Sequence, residues 1–217
     1  MTRLILASAS PARRRVLIDA GIDPVVLVSE VDEEAMTASL GDLAPAELAL
    51  VLARAKALDV AERVAGGSLA AGGSLVVGCD SVFELDGIAY GKPGTPAVAI
   101  ERITSMSGRT GHLHTGHWVI RGEQQVGRTR TTTVEFAVME PGEVAAYVAT
   151  GEPLNVAGAF TLDGRAAPYV RSITGDPSNV LGISLPTMRE LLAELGISWP
   201  QLWGGSEPAT NPSSSSR

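Results

Sequence analysis

Short apolar runs alternating with helix-periodic segments constrain this chain more than any other feature, because only a sheet packed against helices buries both patterns at once. Leu4 to Ala7 (LILA) and Val25 to Val28 (VVLV) read as buried strands. The stretch between them opens on Ser10-Pro11 and closes at Gly21, the pattern of a helix with a capping serine and a proline in its first turn. PAELALVLARAKALDVAERVA then sets Leu48, Val51, Leu52, Ala55, Leu58 and Ala61 at helical spacing, and Leu75 to Cys79 (LVVGC) returns as a strand. GGSLAAGGS between them reads as a flexible surface loop, and VFELDGIAY as a hairpin turning at Asp86-Gly87. Thr95-Pro96 opens a further helix ending before Gly108, another follows Pro141, and the β-branched stretch between them reads as two antiparallel strands turning at Gly122. A last helix aligns Met188, Leu191, Leu192 and Leu195. The expected class is α/β with a mixed sheet, in one domain over residues 1–203 with room for two lobes. Residues 204–217 (GGSEPATNPSSSSR) read as a disordered tail.

Composition narrows the function classes. A net charge of -7 and a pI near 5.0 argue against a chain built to hold nucleic acid or an anionic membrane, which need a broad basic field. The three adjacent arginines of SASPARRRVL must therefore act locally. The single cysteine, Cys79, excludes an internal disulfide framework and a multi-thiolate zinc site, and it fits a reducing cytosol. No apolar run reaches transmembrane length, and the N-terminus lacks the layout of a signal peptide, so a cytoplasmic location is expected.

With Ser10 as cap, Arg13 falls in the arc of Val16, Leu17 and Ala20, whereas Arg14 and Arg15 turn roughly 100° and 200° away. An inward arginine beside Ser8 and Ser10, at a helix N-terminus, is placed to fork onto a phosphate. A plain cap with three solvated arginines fits the same residues. Asp80 is expected at the end of its strand, where open α/β sheets place ligands. The run SEVDEEA follows Val25 to Val28, so Glu33 can reach the same edge, while Glu30, Asp32 and Glu34 read as a solvated loop. Two carboxylates and an arginine there suggest a magnesium-phosphate site. Lys92 in YGKPG and Arg109 in SGRTG are loop cations; GIAYGKP is too short between its glycines, and has proline after the lysine, for a P-loop. Lys56 reads from spacing alone as a snorkelling surface lysine, and His112, His114 and His117 as surface residues of a strand rather than a metal cluster.

LILASASPARRRVL, VVGCDSV, YGKPG, SGRTGHLHTG, GEPLNVAGAF and ITGDPSNVLGISL occur in the order, and at about the spacing, of the motifs of the Maf family of nucleoside triphosphate pyrophosphatases. The chain resembles that family from Leu4 to Gly196. The resemblance implies a two-lobed α/β fold with a long mixed sheet and a deep cleft, similar to inosine triphosphate pyrophosphatases. It implies cleavage of a nucleoside triphosphate to the monophosphate and pyrophosphate with a divalent cation, Mg²⁺ or Mn²⁺. Asp80 matches the catalytic carboxylate, Glu33 its acidic partner at the metal, and Ser8, Ser10 and Arg13 the phosphate-binding opening. Lys56, Lys92 and Arg109 match conserved cations. Val156 and Asp163 stand where dTTP- and UTP-preferring members carry Lys and Gln, so the pattern looks more like the subgroup accepting 7-methyl-GTP and pyrimidine triphosphates, with Asp163 on the substrate. The family often forms dimers, which implies a homodimer here, and the charge balance above implies no nucleic-acid or membrane partner. Its link to septum formation supplies the rival, a nucleotide-sensing or septum-inhibiting binding protein, which would have no need of Asp80 with a second carboxylate nearby.

Overall fold

A computed structural model of the chain describes residues 2–65 and 73–203. The expected tail, and most of the GGSLAAGGS connector, lie outside the described residues. The order of elements is β1 (Leu4–Leu6), α1 (Pro11–Asp19), β2 (Val25–Val26), α2 (Glu33–Leu40), α3 (Pro45–Ala65), β3 (Leu75–Leu85), β4 (Ile88–Tyr90), α4 (Pro96–Met106), β5 (Thr110–Arg121), β6 (Gln124–Phe136), α5 (Pro141–Ala149), β7 (Val170–Thr174), α6 (Pro177–Val180) and α7 (Leu185–Glu194). The strands form one seven-stranded mixed sheet in the order β2-β1-β3-β5-β6-β7, with β4 also on β3. β1 runs parallel to β2 and β3, and the other pairings are antiparallel. No helix among the described residues is long and apolar enough to cross a membrane.

The long strands β3, β5 and β6 are shared by two lobes. At the β1 end, Leu17 of α1 and Met188, Leu191 and Leu192 of α7 pack with Leu75, Val77 and Cys79 on one face. Ala57, Val60 and Val64 of α3 pack with Val76 and Ile120 on the other. The second lobe collects Phe83, Leu113, Val134 and Phe136 under α4 and α5. Gly78 makes the close approach of α3 to β3: a Cβ there would lie 2.1 Å from the carbonyl oxygen of Ala53 and 2.9 Å from Ala57 Cβ. An alanine at position 78 would push α3, and Lys56 with it, off the sheet.

Three sequence expectations change. β2 is only Val25–Val26, and Val26 and Val28 are 40% and 48% exposed, because this strand is the edge of the sheet and one face of it meets solvent. β3 does not stop at Cys79 but runs to Leu85. The acidic run is not all loop: Asp32 caps α2 by accepting from the Ala35 N–H, and Glu33 opens the helix.

Candidate active site

The site is made where β3 outruns its neighbours. β1 pairs with β3 only through Leu6 opposite Val77, with a last bond from the Ala7 N–H to the Val77 carbonyl at 2.8 Å. On that same edge, β4 begins pairing at Phe83, opposite Tyr90. Residues 78–82 thus cross a gap between β1 and β4, with β5 pairing them on the far side. Asp80 therefore sits in mid-strand, yet at the end of β1, so the ligand-binding edge expected at a strand terminus belongs to the neighbouring strand. Ser8 and the start of α1 stand at one rim of the gap. The chain leaving β4 through Gly91 and Lys92 forms the other.

On the α3 face of the gap, the buried Lys56 ammonium lies 2.5 Å from Asp80 Oδ1 and 2.8 Å from Glu33 Oε1. The helical spacing that made Lys56 read as a snorkelling lysine gave no sign of this partner; only the packing of α3 over Gly78 brings the lysine to Asp80. Burial pushes the Asp80 carboxyl above the ordinary aspartate range, against the opposing pull of the Lys56 and Arg13 charges. Glu33, half-buried, goes the other way: burial works upward, but Lys56, then Lys92 and Arg13, outweigh it and hold its carboxyl low. Lys92 is exposed, and its charge is felt at Glu33 across the gap.

On the opposite face, Arg13 is 8% exposed and fully cradled. Its Nε donates to the Gly182 carbonyl (2.7 Å), one Nη to Ser8 Oγ (2.9 Å) and the other to Ser81 Oγ (3.0 Å). Five guanidinium N–H groups less these three bonds leave two for a ligand. Arg14 and Arg15 are exposed and paired with Asp23 and Asp19, so the helical-face reading of the triplet holds. At the start of α1, Pro11 has no N–H and the Arg13 N–H is taken by the Ser10 cap. Among the described residues the Ala12 N–H has no partner, which leaves it at the positive end of the helix for an anion. Ser8 Oγ also accepts from the Ser10 N–H at 3.2 Å.

Sequence reasoning assigned no role to Ser81, Thr115, Asn179 or Gly182, which build this cradle. Ser81 Oγ and Thr115 Oγ1 are 3.0 Å apart, and Thr115 Oγ1 donates to the Asn179 carbonyl. The fully buried Asn179 side chain donates to the Leu113 and Arg130 carbonyls, tying the turn that carries Gly182 to β5 and β6. The signal was present in ITGDPSNVLGISL as a buried-polar stretch between turn residues, but which arginine it would meet is a tertiary fact.

The structure does not bring Arg109 to this cluster. It pairs with Asp86 at the hairpin, about 23 Å along β5 from Gly116, the residue opposite Asp80, at 3.3 Å per residue. Asp163 is exposed on the loop after Phe160. Glu152 pins that loop, accepting from Thr161 Oγ1 (2.6 Å), the Arg165 N–H (2.9 Å) and Tyr147 Oη (3.1 Å). Gly158, at φ +71, starts it where a Cβ would meet Phe83.

Two of the three histidines are not surface residues: His114 and His117 are 6% and 0% exposed, and His112 is half-buried. His117 Nε2 accepts from the Ser184 N–H at 2.8 Å. Burial, and next the Arg13 charge, push its pKa from 6.5 down to about 4. The unfolded chain takes up this proton before the folded one, so the contribution to stability is complete above pH 6.5 and is lost as pH falls toward 4. From pH 7 to pH 5 the loss is about 2 kcal/mol. Denaturant unfolding at the two pH values should show it, and His117→Gln, which keeps an acceptor for Ser184, should remove most of the difference; an unchanged pH slope in the variant would contradict the assignment.

Comparison with known proteins matches the chain over most of its length. The family model described as Maf-like protein matches residues 3–195. A protein of Saccharopolyspora erythraea named nucleoside triphosphate pyrophosphatase is 52% identical over 93% of this chain and 97% of its own length. Relatives with the same name from Streptomyces coelicolor (52% identical, 94% of this chain, 96% of that one) and Nocardia farcinica (53%, 92% and 96%) match as well. Among solved structures, that of the Staphylococcus aureus Ham1 protein matches with TM-score 0.39 and 12% identity over 93% of this chain and 94% of that chain. The match of the family model spans every element from β1 to α7, and the chain belongs to the Maf-like protein family.

Proposed function

We propose that the gap in the sheet holds the triphosphate of a nucleoside triphosphate and that the chain hydrolyses it between the α and β phosphates, releasing the monophosphate and pyrophosphate. The observation that carries this reading is the buried Lys56 ammonium between Asp80 and Glu33, with the cradled Arg13 on the other side of the same strand. Placing two carboxylates and two cations at one buried edge is costly unless a charged ligand uses them. Relatives of the chain are named for this activity, which makes it a hydrolase acting on acid anhydrides.

In this reading Arg13, the Ala12 N–H, Ser8, Ser10 and Lys92 take the phosphate charge at the two rims. Lys56 orients Asp80 and offsets the charge of both carboxylates. Asp80 activates the attacking water, a task that a raised carboxyl suits. Asp80 and Glu33 each keep one oxygen off Lys56, and the described residues contain no cluster of three or more His, Cys, Asp or Glu fit to hold a metal. That donor set fits a hard cation that draws most of its ligands from phosphate and water, such as Mg²⁺ or Mn²⁺. Bound by Asp80 and Glu33, it would supply charge neutralisation at the phosphate oxygens. The test is pyrophosphate release from a panel of triphosphates, with and without a chelator: release that stops on chelation is expected, and release indifferent to it would remove the cation from the account.

Base choice is assigned to the loop that Glu152 pins. Asp163 accepts hydrogen bonds from ring N–H or exocyclic amino donors and repels carbonyl oxygens. kcat/KM for dTTP should therefore fall below that for 7-methyl-GTP or CTP, and Asp163→Gln should narrow the gap. A rate panel with dTTP as the preferred substrate would contradict this assignment and leave the pyrophosphatase reading in place.

A further inference from the structure

The face of the sheet that carries Asp80 continues past α3 as a polar strip. Side chains alternate along β3, and residues directly opposite in an antiparallel ladder share a face. Asp80, Val82 and Glu84 therefore share theirs with Gly116, His114 and His112 of β5 and with Thr129, Thr131 and Thr133 of β6. α3 lies over the first of these rows: its start meets Thr129, whose hydroxyl donates to the Ala46 carbonyl, and its backbone at Ala49 lies over Gly116. Phe83, Leu113 and Val134 point to the other face, beneath α4 and α5, and Val82 is the apolar member of the strip.

Within the strip, three side chains form one ordered chain. Thr131 Oγ1 lies 2.9 Å from His114 Nδ1, and His114 Nε2 lies 2.7 Å from Glu84 Oε2. An ionised carboxylate only accepts, so Nε2 is the donor and Nδ1 accepts the threonine hydroxyl. The His114 side chain is 7% exposed and that of Glu84 24%. The carboxylate is thus held by a buried ring, and no donor comes to its second oxygen among the described residues. Glu84 stands four residues beyond Asp80, about 13 Å along the strand, the length scale of a nucleoside extending from a phosphate held at Asp80.

We propose that Glu84 is a specificity residue for the base and His114 its positioning residue: the fixed carboxylate accepts paired ring and amino N–H groups, as guanine presents them, and disfavours uracil, whose edge is mostly carbonyl oxygen. The proposal rests on the reading that the phosphates lie at Asp80. A site whose acceptor is fixed before binding rejects a base that lacks the donors, since the carboxylate is then buried by ligand without a partner.

The test compares GTP with UTP in turnover, and GMP with UMP in calorimetric binding, for the wild type, Glu84→Gln, His114→Gln and His114→Phe. Glu84→Gln should lower the GTP-to-UTP ratio of kcat/KM by about tenfold or more through KM, with kcat within about twofold and the melting temperature kept. His114→Gln retains a donor to Glu84 and should stay near wild type, whereas His114→Phe should reproduce the loss. An equal effect on both bases, or none, would overturn the assignment. If the wild type releases no pyrophosphate from any triphosphate, the hydrolase reading fails, and the GMP-to-UMP affinity ratio still decides the role of Glu84.

Discussion

Asp80→Asn is expected to lower kcat for triphosphate hydrolysis by a factor of about 10² or more without unfolding the protein. The change is nearly isosteric and removes the proton acceptor and the charge while leaving Lys56 paired with Glu33. Its effect on stability is the informative control. Because burial raises the Asp80 carboxyl, the folded state bears a cost for keeping it ionised. A neutral asparagine should melt at the same temperature as the wild type or above it. Loss of activity with unchanged or higher stability is the signature of a functional carboxylate; turnover within a few-fold of wild type would remove Asp80 from the chemistry.

Arg13→Ala is the second large effect. It removes a charge-assisted contact to phosphate worth about 1.5–3 kcal/mol, so kcat/KM should fall by roughly ten- to a hundredfold. It also strips partners from the Gly182 carbonyl, Ser8 and Ser81, so unlike Asp80→Asn it should lower the denaturation midpoint. Arg14→Ala and Arg15→Ala touch only exposed pairs with Asp23 and Asp19 and should be mild in both measurements. Three variants behaving alike would contradict the division between one inward and two outward arginines.

That division was legible in the sequence because it needs only a helix start, set by Ser10-Pro11, and the 100° step between residues. The strand-helix order and the long antiparallel pair turning at Gly122 were legible for the same kind of local reason. Asp80 was placed at the right edge for the wrong strand: two polar residues, Asp80 and Ser81, interrupt an apolar run, which looks like a strand end, whereas here β3 carries them across a gap that its neighbours leave open. Lys56 could not be assigned from its helix, since its partners come from β3 and α2. His114 and His117 looked like surface residues because polar side chains on a strand usually face solvent; here both His114 nitrogens are met by Thr131 and Glu84, and His117 Nε2 by the Ser184 N–H. Asp32 as a helix cap was readable from its place before an acidic first turn, and that would have taken Asp32 out of the solvated loop and set Glu33 on a helix start.

The most direct measurement on the central claim is the identity of the products in a single turnover of one triphosphate, with a divalent cation and no acceptor other than water. Monophosphate and pyrophosphate in equal amounts, from the wild type and not from Asp80→Asn, are the result that a triphosphate held across the Arg13, Lys56 and Asp80 gap predicts. Diphosphate and inorganic phosphate, or tight binding of the nucleotide with no products, would contradict it.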